Sequence, residues 1–303
     1  CIRGSIGDAI PTVLTMTVVP ILGAGSSMAD YRIGFKWWAL IIAVVFVISE
    51  LVCVACVPER PVACDEKPGK ISDMFKALFK NDQAMTVVVS IILVYTSLNI
   101  CGNLVLYFFR FDVGNEGAYS IFAAVAFAAQ VLVMMVIPLL RKRFSKSQLF
   151  ISGFIIQIAG FAVILIMAFA KLYTPQSWYI LCLPGILIYL GYGMLNVIMT
   201  IFLSDSVDYG EVMNGTREES VIFSMQTFTV KLASGVAVFL AGLVVDWIHL
   251  DTAAAVQTQD TLDALRMWMT IPSVILLIVG IFVFKRFYKL DDTRMEEIKS
   301  KLN

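Results

Sequence analysis

The chain has 303 residues, of which 59% are hydrophobic and 15% charged, with a mean hydropathy of +0.84 and a formal net charge of zero. Soluble globular proteins average roughly 45–50% apolar and about 25% charged residues, so this composition excludes a water-soluble globular chain and indicates a membrane protein. The balanced charge argues against a nucleic-acid partner.

Long apolar stretches follow one another along the chain. A helix needs about 20 apolar residues to cross the roughly 30 Å hydrocarbon core of a bilayer. Eight stretches reach this length, and they are too continuously apolar for barrel strands, so they predict an all-α membrane protein. In chain order the predicted spans are residues 4–24, 35–57, 83–108, 117–140, 147–171, 177–203, 219–247 and 266–287.

The connection between the second and third predicted spans has a pattern of its own. Apolar residues from Ile71 to Phe79 recur at helical spacing beside Lys76 and Lys80. This pattern predicts a short amphipathic helix that lies on the membrane surface or bridges two bundles.

The number of spans on either side of this connection predicts the domain organisation. Two spans precede it and six follow, and six helices make one half of a twelve-helix transporter built from two repeats. We therefore expect the chain to lack about four N-terminal helices and, in this form, not to transport. The predicted parts are the last two helices of an N-terminal bundle (1–57), a central loop (58–82), a complete six-helix C-terminal bundle (83–287) and a tail (288–303).

Basic residues in the loops predict the orientation. Of the 23 Lys and Arg residues, 17 lie in loops or termini on one side, 5 lie on the other, and Lys231 lies inside a span. Because cytoplasmic loops carry the excess of Lys and Arg, the richer side is predicted to be cytoplasmic, with both ends of the chain there. Beyond Phe284, we expect a basic and aromatic membrane anchor followed by a short solvated helix that begins at Asp291 or Asp292.

Lys231 is the most informative residue, because it lies about 12 residues, or roughly 18 Å, from the nearer end of its predicted span. A charge at the centre of a helix costs about 2.5–3.5 kcal/mol on insertion scales, so such a lysine is expected to face a wet cavity or an acidic partner. A polar stripe extends along the same helix face, with Gln226 and Thr229 beside it. The stripe is formed by Ser220, Ser224, Thr227, Lys231 and Ser234.

Two other spans carry weaker polar stripes at i+4 spacing. One is formed by Tyr95, Asn99, Asn103 and Tyr107, and the other by Tyr192, Asn196 and Thr200. Amides and phenols in a wet groove suit a polyhydroxylated solute, although helix–helix hydrogen bonding is an equal alternative for each stripe alone. Three stripes in one chain favour a hydrophilic pathway.

Charged residues also face each other in the predicted cytoplasmic loops. Residues 204–219 contain Asp205, Asp208 and Arg217, and the neighbouring loop begins with Arg141. Opposite charges on these loops predict an ion-pair latch that closes an inner gate, while ordinary solvated loop charges are an equal alternative.

The segment Asp205-Ser-Val-Asp-Tyr-Gly-Glu211, followed by Arg217-Glu-Glu-Ser220 and by Gln226-Thr227 with Lys231, resembles a known signature. It is similar to that of the glycoside–pentoside–hexuronide:cation symporters, a family of the major facilitator superfamily that includes the melibiose carrier. The resemblance covers essentially the whole chain, at the fifth to twelfth helices of such carriers.

The resemblance implies roles for particular residues. Lys231 looks like the family's helix-11 lysine, which links the cation site to sugar binding, and Gln226 and Thr227 match positions beside the sugar pathway. Arg3 resembles an arginine that helps to hold the sugar, and Asn196 stands where the melibiose carrier has an aromatic residue. The cytoplasmic gating residues are matched by Asp205 and Arg217, and more loosely by Arg141.

These observations together predict a secondary active transporter, not an enzyme, that imports a sugar or glycoside with Na⁺ or H⁺ by alternating access. It would lie in the cell membrane, function as a monomer when complete, and need no metal or cofactor beyond the coupling cation. The acidic partner of Lys231 is expected in the missing helices. The alternatives are a non-transporting membrane sensor or channel of the same fold and a membrane-embedded lipid-linked sugar transferase, although the lone histidine, His249, argues against an enzyme.

Overall fold

The computed structural model describes residues 15, 18–23, 28–56, 79–214, 219–252, 254 and 256–302. The chain divides into two compact units, Gly7–Gly69 and a larger unit that includes Lys70–Asn303. The helices described in them are α1 (Met28–Cys56), α2 (Asp82–Tyr107), α3 (Ala118–Leu140), α4 (Lys146–Phe169), α5 (Cys182–Asn214), α6 (Glu219–Trp247), α7 (Gln259–Phe287) and α8 (Asp292–Leu302).

Seven helices in the described ranges are long and apolar enough to cross a membrane, and they include α1 to α7. They confirm the prediction of an all-α, multi-pass membrane protein. The first predicted span, residues 4–24, lies mostly outside the described residues, although 18–23 are helical. The predicted amphipathic helix between residues 58 and 82 also lies outside them, except at its end.

The larger unit is a bundle in which α2 and α5 take the central places. Helix α2 packs against α5, α6 and α7, and α5 packs against α3 and α4. Because the chain crosses the bundle with each helix, its connections form two sides. We call the side with residues 141–145 and 288–302 the tail side, and the side with residues 113–117, 170–181 and 248–258 the far side.

Side-chain caps fix where several of these helices begin. Asn81 accepts a hydrogen bond from the Ala84 amide at the start of α2, and Ser145 and Gln148 form a capping box at the start of α4. At the start of α7, the Thr258 side chain accepts from the Thr261 amide. These bonds satisfy amides that have no partner within the helix.

The structure corrects two boundaries that were predicted from hydropathy. Helix α5 continues to Asn214, so Asp205 and Asp208 lie on a helix and not in a loop. Helix α7 begins at Gln259, one to two turns before the predicted apolar stretch. Apolar length marks only the part of a helix that lipid covers, whereas the polar ends of these helices pair with other parts of the protein.

The C-terminal tail is also not the solvated segment that was predicted. Asp291 caps α8 by accepting a hydrogen bond from the Arg294 amide at 2.9 Å, as expected. However, Leu290, Met295 and Ile298 are buried against Tyr209 and Val212 of α5 and against Tyr288. Helix α8 is amphipathic, and its apolar face binds it to the bundle.

Helices α4 and α5 approach closely because glycines lie where they cross. A Cβ added at Gly191 would come within 2.6 Å of the Gly153 carbonyl oxygen, and one added at Gly160 within 2.7 Å of Ile188. Small residues at such crossings allow van der Waals contact between backbones, which drives helix association in membranes.

We predict that Gly191→Ala destabilises the bundle by about 1–3 kcal/mol, because its methyl group would overpack this crossing. Thermal or denaturant unfolding in detergent micelles measures the loss. Gly242→Ala in α6 is the matched control, because a Cβ there meets nothing within 4 Å. An equal loss in both variants would contradict the role of close packing.

Candidate functional site

Helix α6 presents most of its predicted polar stripe on an open face. Ser224, Thr227 and Lys231 are exposed and Ser234 is half-buried, while the Ser220 side chain lies outside the described part. The opposite face packs inward through Ile222, Met225, Thr229, Ala233 and Ala237. The stripe is therefore a surface of the larger unit and not part of its core.

Lys231 carries an ammonium group within the span Val221–Trp247, 10 residues or about 15 Å from its start. Within the described ranges its side chain makes no hydrogen bond or ion pair. Phe228 and Leu232, which are next to it on the helix surface, are 50% and 48% exposed. An unpaired charge at this depth is costly in lipid, so this face needs water or another polar group opposite it.

Two predicted neighbours of the stripe lie away from the open face. Gln226 is half-buried, since five residues place it about 140° around the helix from Lys231. Thr229 is 2% exposed and lies in the packed face. Thr227 lies on the open face, where its hydroxyl donates to the Phe223 carbonyl at 3.4 Å.

The two other stripes meet between α2 and α5. The Asn196 amide donates to the Tyr95 hydroxyl at 2.6 Å, and the Tyr95 and Tyr192 rings lie edge to face with centroids 5.5 Å apart. Tyr189 continues the cluster, with its ring 6.4 Å from that of Tyr192. The structure thus brings Tyr192 and Asn196 together with Tyr95 in one polar aromatic cluster.

Asn99 and Asn103 continue from this cluster along α2. Their amide nitrogens donate back to the carbonyls of Tyr95 and Asn99, each at 2.7 Å. Both side chains are half-buried, and no described group donates to their amide oxygens. These oxygens are therefore free acceptors. No hydrogen bond or ion pair between described residues joins Lys231 to the α2–α5 cluster.

A small cavity inside the described bundle has no room for a sugar. That cavity holds about 20 Å³ and lies among α2, α3, α4 and α5, next to Cys101 and Tyr189. Its volume suits a single water molecule.

The tail side holds a buried ion pair between α4 and α5. Lys146 and Asp205, whose side chains are 8% and 7% exposed, are in direct contact, and Lys146 also lies 3.4 Å from Asp292 of α8. Arg141 reaches the same Asp292 at 3.4 Å. Partial burial alone would raise the pKa of Asp292, but Lys146 and Arg141 outweigh it and hold this pKa below its usual range.

This arrangement corrects the predicted latch. Asp205 pairs with Lys146, whereas Arg141 pairs with the tail, because Lys146 begins α4 directly beside the end of α5. Asp208 is half-buried on α5, and it has further interactions. The predicted gate residue Arg217 and the predicted sugar-binding residue Arg3 lie outside the described residues.

Tyr288 lies beside this ion pair, between α7 and α8. Its ring packs on those of Phe202 and Phe284, with centroids 4.4 and 4.7 Å away. The hydroxyl is buried and makes no hydrogen bond within the described structure. Burial, and then the nearby carboxylates of Asp205 and Asp292, raise the pKa of Tyr288, so the hydroxyl keeps its proton.

The far side holds a second buried ion pair, which the sequence analysis missed. Arg266 of α7 forms a two-pronged contact with Asp112, and both side chains are 3% exposed. Tyr173 donates to Asp112 at 2.7 Å, and Asp263 accepts from Arg266 at 2.7 Å. Burial, and then the Asp112 charge, raise the pKa of Tyr173.

A local change in the backbone places Asp112. Residues Phe108–Asp112 form a π-helix at the end of α2, which widens the last turn. The sequence offers one signal for this pair, which is that Asp112 and Arg266 stand at or near the far-side ends of two predicted spans. Hydropathy predicts Arg266 at the start of the span 266–287, and it cannot show that the partner of this arginine is buried.

Comparison with known proteins places the chain in a family. Residues 3–292 match the family of MFS/sugar transport proteins. The chain is 24% identical over 99% of its length to an uncharacterized symporter of Bacillus subtilis (strain 168), and 23% identical over 98% to the raffinose carrier protein of Pediococcus pentosaceus. It is also 25% identical over 95% of its length to the isoprimeverose transporter of Lactiplantibacillus pentosus.

The matches cover 63%, 46% and 58% of the lengths of these three relatives, respectively. They are named as a symporter, a carrier and a transporter, and none is named as an enzyme. The family match extends over nearly the entire chain, across the helices that carry the polar stripes. The chain therefore belongs to the family of MFS/sugar transport proteins.

Proposed function

We propose that this chain forms part of a secondary active transporter that imports a sugar or glycoside together with Na⁺ or H⁺. The observation that carries the proposal is the exposed ammonium of Lys231 in the middle of a membrane span, which has no partner among the described residues and is aligned with Ser224 and Thr227. A membrane helix with such a face requires an aqueous or polar surface opposite it. The names of the relatives support a sugar as the solute.

The described polar groups suit a polyhydroxylated solute. A sugar hydroxyl both donates and accepts hydrogen bonds. Lys231 and the hydroxyl of Ser224 offer donors, while the amide oxygens of Asn99 and Asn103 offer acceptors. Tyr192 and Asn196 are already engaged in the α2–α5 cluster, so they would contact the solute only if the cluster rearranges.

We further propose that the larger unit is one six-helix half of a twelve-helix carrier. Four helices before residue 1 would complete the other half and supply an acidic partner for Lys231. In the following experiments, the complete carrier means the protein with those helices, working as a monomer by alternating access. The excess of Lys and Arg on the tail side supports a cytoplasmic tail side in the cell membrane.

In this proposal the Lys146–Asp205 pair belongs to the tail-side gate. It joins the start of α4 to the tail-side part of α5. Breaking a buried pair leaves a costly unpaired charge, so the pair resists rearrangement until another partner replaces the one lost.

Uptake by membrane vesicles tests the proposed activity. We expect vesicles with the complete carrier to accumulate a radiolabelled sugar above the external concentration when an inward Na⁺ or H⁺ gradient is imposed. Raffinose and isoprimeverose are suitable first substrates, because two of the relatives are named for them. An ionophore that collapses the gradient should abolish the accumulation.

Vesicles without the carrier are the control, and the two gradients are imposed separately to identify the coupling ion. Sugar entry that equilibrates but never exceeds the external concentration would contradict symport. Sugar binding without entry would instead indicate a sensor.

A further inference from the structure

Two carboxylates on the tail side share one ammonium group. Lys146 contacts Asp205 directly and lies 3.4 Å from Asp292, so it already touches both possible partners. Asp292 is also bound by Arg141 and by the Lys146 backbone amide, each at 3.4 Å. A small movement of the lysine side chain would therefore transfer it from Asp205 to Asp292.

Such a transfer leaves Asp205 in need of a donor. Its side chain is 7% exposed, and a buried carboxylate without a partner is strongly disfavoured. In the described structure, the Tyr288 hydroxyl of the tail side is buried and makes no hydrogen bond, so it is an unused donor. The Tyr288 ring packs at a tilt against that of Phe202, which lies one helical turn before Asp205 on α5.

We propose that Tyr288 is a positioning residue of the tail-side gate, whose hydroxyl takes the place of Lys146 on Asp205 when Lys146 moves to Asp292. The role of this movement in the gate rests on the proposed transport function. The exchange itself is a property of the folded unit and needs no substrate.

The arrangement explains why a buried hydroxyl is left without a partner. Such a group costs free energy in the state described, and it regains a hydrogen bond in the exchanged state. The two states then differ less in free energy than they would if Asp205 simply lost its partner. The tail segment 288–292 contributes the two new partners in the exchange, Tyr288 for Asp205 and Asp292 for Lys146. The packing of α8 against α5 holds this segment in place.

A double-mutant cycle on the complete carrier tests the exchange by thermal unfolding in detergent. Tyr288→Phe alone should leave the unfolding temperature unchanged or slightly higher, because no hydrogen bond is lost. With Lys146→Met, Asp205 depends on Tyr288, so adding Tyr288→Phe should lower the unfolding temperature by several degrees. Equal effects in the two backgrounds, or a loss in the first, would overturn the proposal.

Tyr179→Phe is the matched control, because Tyr179 is 62% exposed on the far side and should be neutral in both backgrounds. If Lys146→Met does not yield folded protein, uptake by the Tyr288→Phe variant decides instead. We expect its maximal rate to fall several-fold with an unchanged half-saturation concentration. An unchanged maximal rate would overturn the exchange.

The unfolding cycle does not depend on transport. Failure of the cycle in a carrier that accumulates sugar would remove the exchange and leave the proposed function standing. A positive cycle in a protein that accumulates no sugar would leave the exchange standing and remove the transport function.

Discussion

Replacing Lys231 with alanine is expected to abolish sugar accumulation by the complete carrier, while the protein still inserts into the membrane. The ammonium group lies on the open face of α6 and supports no packing contact of the described core, so its removal costs little stability. The span Val221–Trp247 contains two charged residues, Lys231 and Asp246, and Asp246 lies near the end of the span. The substitution therefore removes the charge in the middle of the polar face. Gradient-driven uptake and membrane-fraction immunoblots measure the two effects.

Leu232→Ala is the matched control for this experiment. Leu232 is the next residue of α6 and is 48% exposed, so its truncation removes a side chain at the same depth without changing charge. We expect this variant to keep most of the accumulation. Normal accumulation by Lys231→Ala would remove the functional role that we assign to the stripe.

Replacing Arg266 with alanine is expected to lower the free energy of unfolding by about 3–5 kcal/mol, the usual cost of breaking a buried ion pair by removing one partner. Asp112 would remain 3% exposed, with the Tyr173 hydroxyl as its remaining donor in the described structure and no guanidinium beside it. Unfolding of purified protein in mixed micelles measures the change.

Two further variants make this experiment specific. Glu116→Ala breaks the exposed Arg110–Glu116 contact of 3.8 Å on the same side and should cost only about 0–1 kcal/mol. Adding Asp112→Leu to an Arg266→Met variant should recover part of the loss, because no charge is then left buried. Equal costs for Arg266→Ala and Glu116→Ala would contradict the described burial.

Hydropathy predicted the helices of the larger unit because membrane thickness sets a minimum apolar length that water-soluble cores do not impose. It placed α3 and α6 within a residue of their observed ends. It failed at the polar ends of α5 and α7, where helices extend past the apolar stretch. There the helix is stabilised by partners such as Lys146 and Asp112, which no sliding window along the sequence can include.

In the candidate site too, the sequence predicted features of single helices but not contacts between helices. Helical periodicity identified the exposed stripe of Ser224, Thr227 and Lys231, because a stripe is a property of one helix. It did not identify the partners of Asp205 and Arg266, which are 59 and 154 residues away along the chain. Gln226 was predicted to lie beside the stripe from its spacing in the helix, yet its position about 140° around the helix from Lys231 turns it away from the open face.

The buried ion pairs at the two ends of the larger unit have a mechanical consequence. Asp112–Arg266 ties α2 to α7 on the far side, and Lys146–Asp205 ties α4 to α5 on the tail side. While both pairs are intact, α2 and α7 resist sliding past each other, and so do α4 and α5, whose crossing is tightly packed. A displacement at one end of the larger unit would then tilt its packed helices together. Amide hydrogens near both fastenings should accordingly exchange with deuterium as one slow cooperative group.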